Sequence, residues 1–111
     1  MSPLEAKKNA GLKAIDGKLD WDLLPTGPLR EIIKCLTDGN LKYERDNWML
    51  QDGEVMRDYR NAALRHIMAH KDGEIFIPDP KSDMQVRHLA AAATSIMIML
   101  YHEMKATDKD S

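Results

Sequence analysis

Cysteine is almost missing from this chain of 111 residues. Cys35 is the single one, so neither an internal disulfide nor a cysteine-cluster zinc site can form. An intracellular compartment is the expectation. Cys35 lies on an apolar helical face and reads as a small buried hydrophobe rather than a nucleophile. An excess of positive charge is missing too. Sixteen Lys+Arg stand against 18 Asp+Glu, for a formal net charge of −2. Duplex nucleic acid needs a basic stripe, so no duplex partner is expected, although local cation clusters can still hold a phosphorylated small molecule. A membrane-length apolar run is also lacking. Residues 89–101 are too few to span a bilayer and are interrupted by Thr94 and Ser95. The first residues, MSPLEAKKNAGLKAIDGK, lack the apolar centre of a signal peptide. These absences lead to the expectation of a cytoplasmic protein with no membrane partner.

Several catalytic signatures are lacking as well. GKLDWDLLP at residues 17–25 does not have the GxxxxGK[ST] spacing of a phosphate loop. HExxH and GxSxG do not occur, and His70-Lys71-Asp72 misses an adjacent His-Asp pair by one residue. There is no internal repeat. Strand alternation is missing, since Ile75-Phe76-Ile77 is too short to support a sheet.

Helical periodicity is what the chain does have. Hydrophobic residues make up 43%, ordinary for one globular domain. Residues 1–16 read as a flexible arm, 17–106 as one helical domain and 107–111 as a disordered tail. Trp21, Leu23 and Leu24 are expected to pack the arm onto the body. A first helix is expected to start at Thr26-Gly27-Pro28, with Leu29, Ile32, Ile33 and Leu36 as its core face and Asp38-Gly39 as its stop. Residues 40–49, NLKYERDNWM, read as a short helix or turn. Residues 58–70, DYRNAALRHIMAH, read as the central helix. Asp52 is its N-cap and Asp72-Gly73 its end, and Val55, Tyr59, Ala62, Ala63 and Ile67 form its apolar face. Pro78-Asp79-Pro80 forbids helix. Ser82-Asp83-Met84-Gln85 has capping-box form and is expected to open the longest helix, to about Lys105. Its expected core face is Val86, Leu89, Ala90, Ala93, Ile96, Met97, Leu100, Tyr101 and Met104. The fold class is all-α: a bundle of three main helices plus a short one. Three helices make a thin core, so oligomerisation is expected to complete it.

The candidate chemistry is spread along these elements. His66 and His70 stand four apart on one face, where they either flank a core edge or share a ligand. Lys42, Tyr43, Glu44, Arg45, Asp46, Asn47 and Trp48 interleave charge with aromatic rings. Such a run is either a solvated face or an edge where a ring stacks a base and a lysine meets phosphate. A Mg²⁺ site wants two or more converging carboxylates. Glu31, Glu44, Asp58 and His88 are the residues an antiparallel bundle would have to bring together.

Taken in order, GKLDWDLLP, the helix of Glu31, TDGNLKYERDNW, AALRHIMAH and DPKSDMQVRHLAAA resemble the phage-associated dATP/dGTP diphosphohydrolase N-terminal domain. That family is related in fold to the MazG-like all-α nucleoside triphosphate pyrophosphatases. The resemblance covers residues 17–101. It implies a MazG-like bundle that binds a purine deoxynucleoside triphosphate with Mg²⁺ as cofactor and releases pyrophosphate, in the host cytoplasm if phage-encoded. Carried over by position, Glu31, His66 and His88 are the catalytic candidates, and Asp22 also matches the pattern. Lys18, Lys42, Tyr43, Asn47, Trp48 and Arg65 are the nucleotide-binding candidates, and Glu31, Glu44 and Asp58 the metal candidates. The expected partners are a nucleotide and further copies of the chain. The chain departs from the pattern at Lys34, where a second carboxylate belongs, and no ExxD follows on the long helix. Ala91 and Ser95 replace a second His and an Asn. A relative that binds or sequesters a nucleotide without turnover is therefore the alternative reading.

Overall fold

The structure, a computed structural model, describes residues 17–42, 55–78 and 83–108. Among the described residues the chain is all-helical, with three α-helices: α1 (Thr26–Lys42), α2 (Val55–Lys71) and α3 (His88–Thr107). A short 3-10 turn, Trp21–Leu23, precedes them, with the Asp20 carboxylate accepting from the Asp22 N–H. The expected short helix at residues 40–49 and the Asp52 cap lie wholly or mostly outside the described residues.

Helix α3 is the centre of the bundle, because both α1 and α2 pack on it and, among the described residues, the two do not pack on each other. This corrects the expectation that residues 58–70 form the central helix. The reason lies in side-chain size. Ala90, Ala91 and Ala92 are buried on α3 together with Thr94, Ser95 and Ile98. Small side chains let two neighbouring helices approach at once. The Thr94 hydroxyl donates to the Ala90 carbonyl at 2.7 Å, so its burial leaves no orphan donor. Of the expected core face Val86 and Ala90 are buried, whereas Leu89, Ile96, Leu100 and Met104 are exposed. On α2 the inward line likewise runs through Tyr59, Ala62, Ala63 and His66, leaving Ile67 exposed. An imidazole occupies the position the apolar pattern assigns to isoleucine.

Three boundaries follow from local backbone geometry. Helix α1 runs on past Asp38-Gly39 to Lys42. Gly39 keeps a negative φ, so it costs about 1 kcal/mol of helix propensity without ending the helix. The second boundary is the end of α2. Gly73 has φ +98. Its N–H donates to the His70 carbonyl at 3.0 Å, and the Glu74 N–H donates to the Ala69 carbonyl at 3.1 Å. This is a Schellman cap with glycine in the left-handed position. The third boundary is the start of α3. That helix begins at His88, with Arg87 as an extended N-cap making no side-chain cap. It does not begin at the Ser82 capping box, because the backbone before it is engaged elsewhere. The Ile77 N–H donates to the Val86 carbonyl at 2.8 Å, and the His88 N–H donates to the Ile75 carbonyl at 2.9 Å. An isolated antiparallel bridge joins Phe76 to Arg87. Trp21, Leu23 and Leu24 are all exposed, contrary to the expected packing of the arm. No helix among the described residues is long and apolar enough to cross a membrane.

Candidate functional site

The Schellman cap and the Phe76–Arg87 bridge act together. The cap turns the chain sharply after α2, and the bridge clamps the returning segment to the first turn of α3. Glu74 and His88 thereby become neighbours. Glu74 Oε1 lies 2.6 Å from His88 Nε2. The other ring nitrogen, His88 Nδ1, lies 2.8 Å from Nδ1 of His66 on α2. The rings are tilted by 42° with centroids 5.1 Å apart. A carboxylate and two imidazoles thus form one continuous chain from the connector, through the bundle interior, to the inner face of α2. His88 is buried at 5% exposure. Both of its ring nitrogens are engaged, as the high cost of burying an unpaired polar group requires.

Burial pushes the His66 imidazole below its ordinary pKa, and the charges of His88 and Arg65 push it the same way. Desolvation disfavours the charged form of a histidine. A neutral imidazole can accept a proton, so His66 is suited to base chemistry.

A second cluster stands beside the first. Arg87 Nε donates to Glu31 Oε1 at 3.0 Å, and Lys34 Nζ lies 3.1 Å from Glu31 Oε2. The Arg87 guanidinium also lies 4.8 Å from the centre of the Phe76 ring, within cation–π range. Hydrogen bonds from Arg87 first and Lys34 second hold the Glu31 carboxyl below the usual carboxylate range. Glu31 therefore ties α1 to the start of α3. Cys35 is half-buried one turn along, and burial pushes its thiol up. A raised thiol pKa makes it inert, in line with its reading as a packing residue.

The candidates divide as follows. His66 and His88 are brought into direct contact, and Glu31 joins them through Arg87, the neighbour of His88 in the chain. Arg65 is exposed beside His66. Asp58 is exposed in the first turn of α2, on a helix that does not pack against α1. Lys18 and Asp22 are exposed before α1. Lys42 is the last residue of α1. Tyr43, Glu44, Asn47 and Trp48 lie outside the described residues. His70 is half-buried, and the partner of His66 is His88, not His70. No group of three or more His, Cys, Asp or Glu that could hold a metal ion occurs among the described residues. Glu31 already carries two cations, so the described donors do not by themselves make a Mg²⁺ site.

Two residues of the site escaped the sequence reading, Glu74 and Arg87. Glu74 lies between Asp72-Gly73 and Pro78, in a stretch that carries no motif. The available signal was the Asp-Gly helix stop before it, since a left-handed cap fixes the direction of the next residue.

The model of the dATP/dGTP diphosphohydrolase N-terminal domain matches residues 8–111. The chain belongs to this family. No curated protein and no solved structure gives a significant match. For a member of the dATP/dGTP diphosphohydrolase N-terminal family, a nucleotide hydrolase family by its name, the Glu74–His88–His66 chain is the best-built polar cluster among the described residues.

Proposed function

We propose that the protein hydrolyses a purine deoxynucleoside triphosphate to the monophosphate and pyrophosphate. The observation that carries this reading is the family match over residues 8–111. The His66–His88 contact at 2.8 Å supports it by supplying a desolvated base. Water attacks the α-phosphorus, its bond to the bridging oxygen breaks, and pyrophosphate leaves with the electron pair. The proton of the attacking water goes to His66, with His88 as the group that orients it. Lys18, Lys42 and Arg65 are the proposed phosphate contacts, and Tyr43, Asn47 and Trp48 the proposed base contacts. Were magnesium to accompany the triphosphate and offset its charge, Glu31, Glu44 and Asp58 would be its proposed carboxylates. Arg87 and Lys34 already pair with Glu31.

Self-association belongs to the same reading. Leu89, Ile96, Leu100 and Met104 form an exposed apolar line along α3 at i, i+7, i+11 and i+15, and α2 exposes Leu64, Ile67 and Met68. Apolar lines of this kind are covered in an assembly. A second reading, nucleotide binding without turnover, is favoured by the paired state of Glu31 and by the lack of a metal-ligating group among the described residues. Incubation with each dNTP and Mg²⁺, followed by a pyrophosphate assay, separates the two. Turnover that Glu31→Ala and His66→Ala abolish supports the hydrolase. A nucleotide-induced thermal shift without turnover supports the binder, and the absence of both results would overturn both readings.

A further inference from the structure

Hydrogen counting gives the Glu74–His88–His66 chain a direction. An ionised carboxylate only accepts, so the hydrogen between Glu74 Oε1 and His88 Nε2, 2.6 Å apart, belongs to the imidazole. A neutral imidazole has one N–H. Once that N–H is at Nε2, His88 Nδ1 carries a lone pair and must accept. The hydrogen in the 2.8 Å gap between the two Nδ1 atoms therefore comes from His66. His66 is then an Nδ1–H tautomer with the lone pair on Nε2, an atom with no hydrogen bond among the described residues. We infer that Glu74 is a positioning residue that acts through His88 to make His66 Nε2 the proton acceptor of the site, and that the chain is a two-histidine proton relay.

The charges around the relay suit this task. Arg65 neighbours His66 on α2, with His70 one turn further on the same helix. His88 faces it from α3 and Glu74 stands behind His88. Arg87 is turned away toward Glu31 and Phe76, and α1 does not pack on α2. A proton arriving at His66 Nε2 lets the Nδ1–H of His66 cross to His88 Nδ1. His66 is neutral again as the Nε2–H tautomer. The charge then resides on a His88 imidazolium against the Glu74 carboxylate, where a short charge-assisted hydrogen bond stabilises it. The reverse hop resets the chain by releasing the proton from His66 Nε2. A second proton cannot be held, because two N–H groups would face each other across 2.8 Å. In turnover, resting on the diphosphohydrolase reading, the attacking water is the proton donor. Its O–H bond breaks to His66, and its oxygen bonds phosphorus as the bridging P–O bond breaks.

The test begins with the unmodified protein and no substrate. Long-range ¹⁵N–¹H correlation spectra above neutral pH should give His66 as the Nδ1–H tautomer and His88 as the Nε2–H tautomer. Free imidazole side chains favour Nε2–H, so an Nε2–H His66 would overturn the relay. Glu74→Gln keeps the shape and removes the charge behind His88. In it the acidic limb of kcat/KM should move to lower pH and the rate at neutral pH should fall about tenfold to a hundredfold. Glu74→Asp should restore part of the loss, and Glu103→Gln, at the far end of α3, should restore or remove nothing. An unchanged pH profile in Glu74→Gln would also overturn the inference. Tautomers as stated, without turnover on any nucleotide, would uphold the relay and remove the hydrolase reading instead.

Discussion

Arg87 and His88 are consecutive residues at the start of one helix, yet they belong to different chemical environments. Arg87 leaves 47% of its side chain in water and meets Glu31 there. His88 keeps 6% of its side chain exposed and is hydrogen-bonded on both ring nitrogens. The first is a latch between helices in high dielectric, where screening by water and salt limits an ion pair. The second is the buried link of a polar chain whose outer end, Glu74, is exposed, so leaving either nitrogen of His88 unpaired has a high cost. Formal charge is concentrated at Glu31, but the desolvation that tunes a proton acceptor is found at His66.

Replacing the buried member should have the largest effect. His88→Ala leaves Glu74 and His66 without their shared partner and opens a void at the α2–α3 seam. The expected cost is about 3 kcal/mol in urea denaturation, a fall in Tm on the order of 10–20 °C for a domain of this size. A loss no larger than that of Arg87→Ala would erase the contrast between the two neighbours. Next comes His66→Gln, which fills similar space without a base. Pyrophosphate release should fall about a hundredfold or more with the circular dichroism spectrum unchanged. Activity within a few-fold of the parent would move the proton acceptor elsewhere.

Acidification sharpens the contrast in another way. The folded pKa of His66 is lowered, so between that value and the ordinary histidine value the unfolded chain binds more protons than the folded one. The stabilisation is present above the ordinary value and is lost as pH falls through the folded one. Glu31 is also lowered, and its contribution is lost further down, below the ordinary carboxylate range. Stability should therefore fall in two steps below neutrality. His66→Gln should remove the upper step and Glu31→Gln the lower, as followed by Tm against pH. The smallest effect is expected for Arg87→Ala at low salt, a slight loss of stability that 1 M NaCl abolishes. A salt-independent loss would mean that the stacking on Phe76, not the ion pair, is the stronger part of that latch.

The helices were largely legible in the sequence, and the site only partly. Thr26-Gly27-Pro28 marks a helix start and Asp72-Gly73 a helix end through backbone chemistry that acts within a few residues. Leu89, Ile96, Leu100 and Met104 repeat as a helix face should, but periodicity does not tell which of two faces turns inward. Alanine, serine and histidine won the interior because α3 must accept a helix on either side. His66 and His88 were recognised one at a time from the family pattern. Their contact was not, because it joins positions 22 residues apart through the packing of α2 on α3.

Composition and local pattern alone thus determined a helical chain with no internal disulfide, and the order of its motifs carried the resemblance to a nucleotide-hydrolase family. Whether Glu74 stands alone in a loop or against His88 was decided by tertiary structure. A left-handed glycine cap and two backbone hydrogen bonds bring it within 2.6 Å of His88. Only that packing buries His88 and gives each of its ring nitrogens a partner.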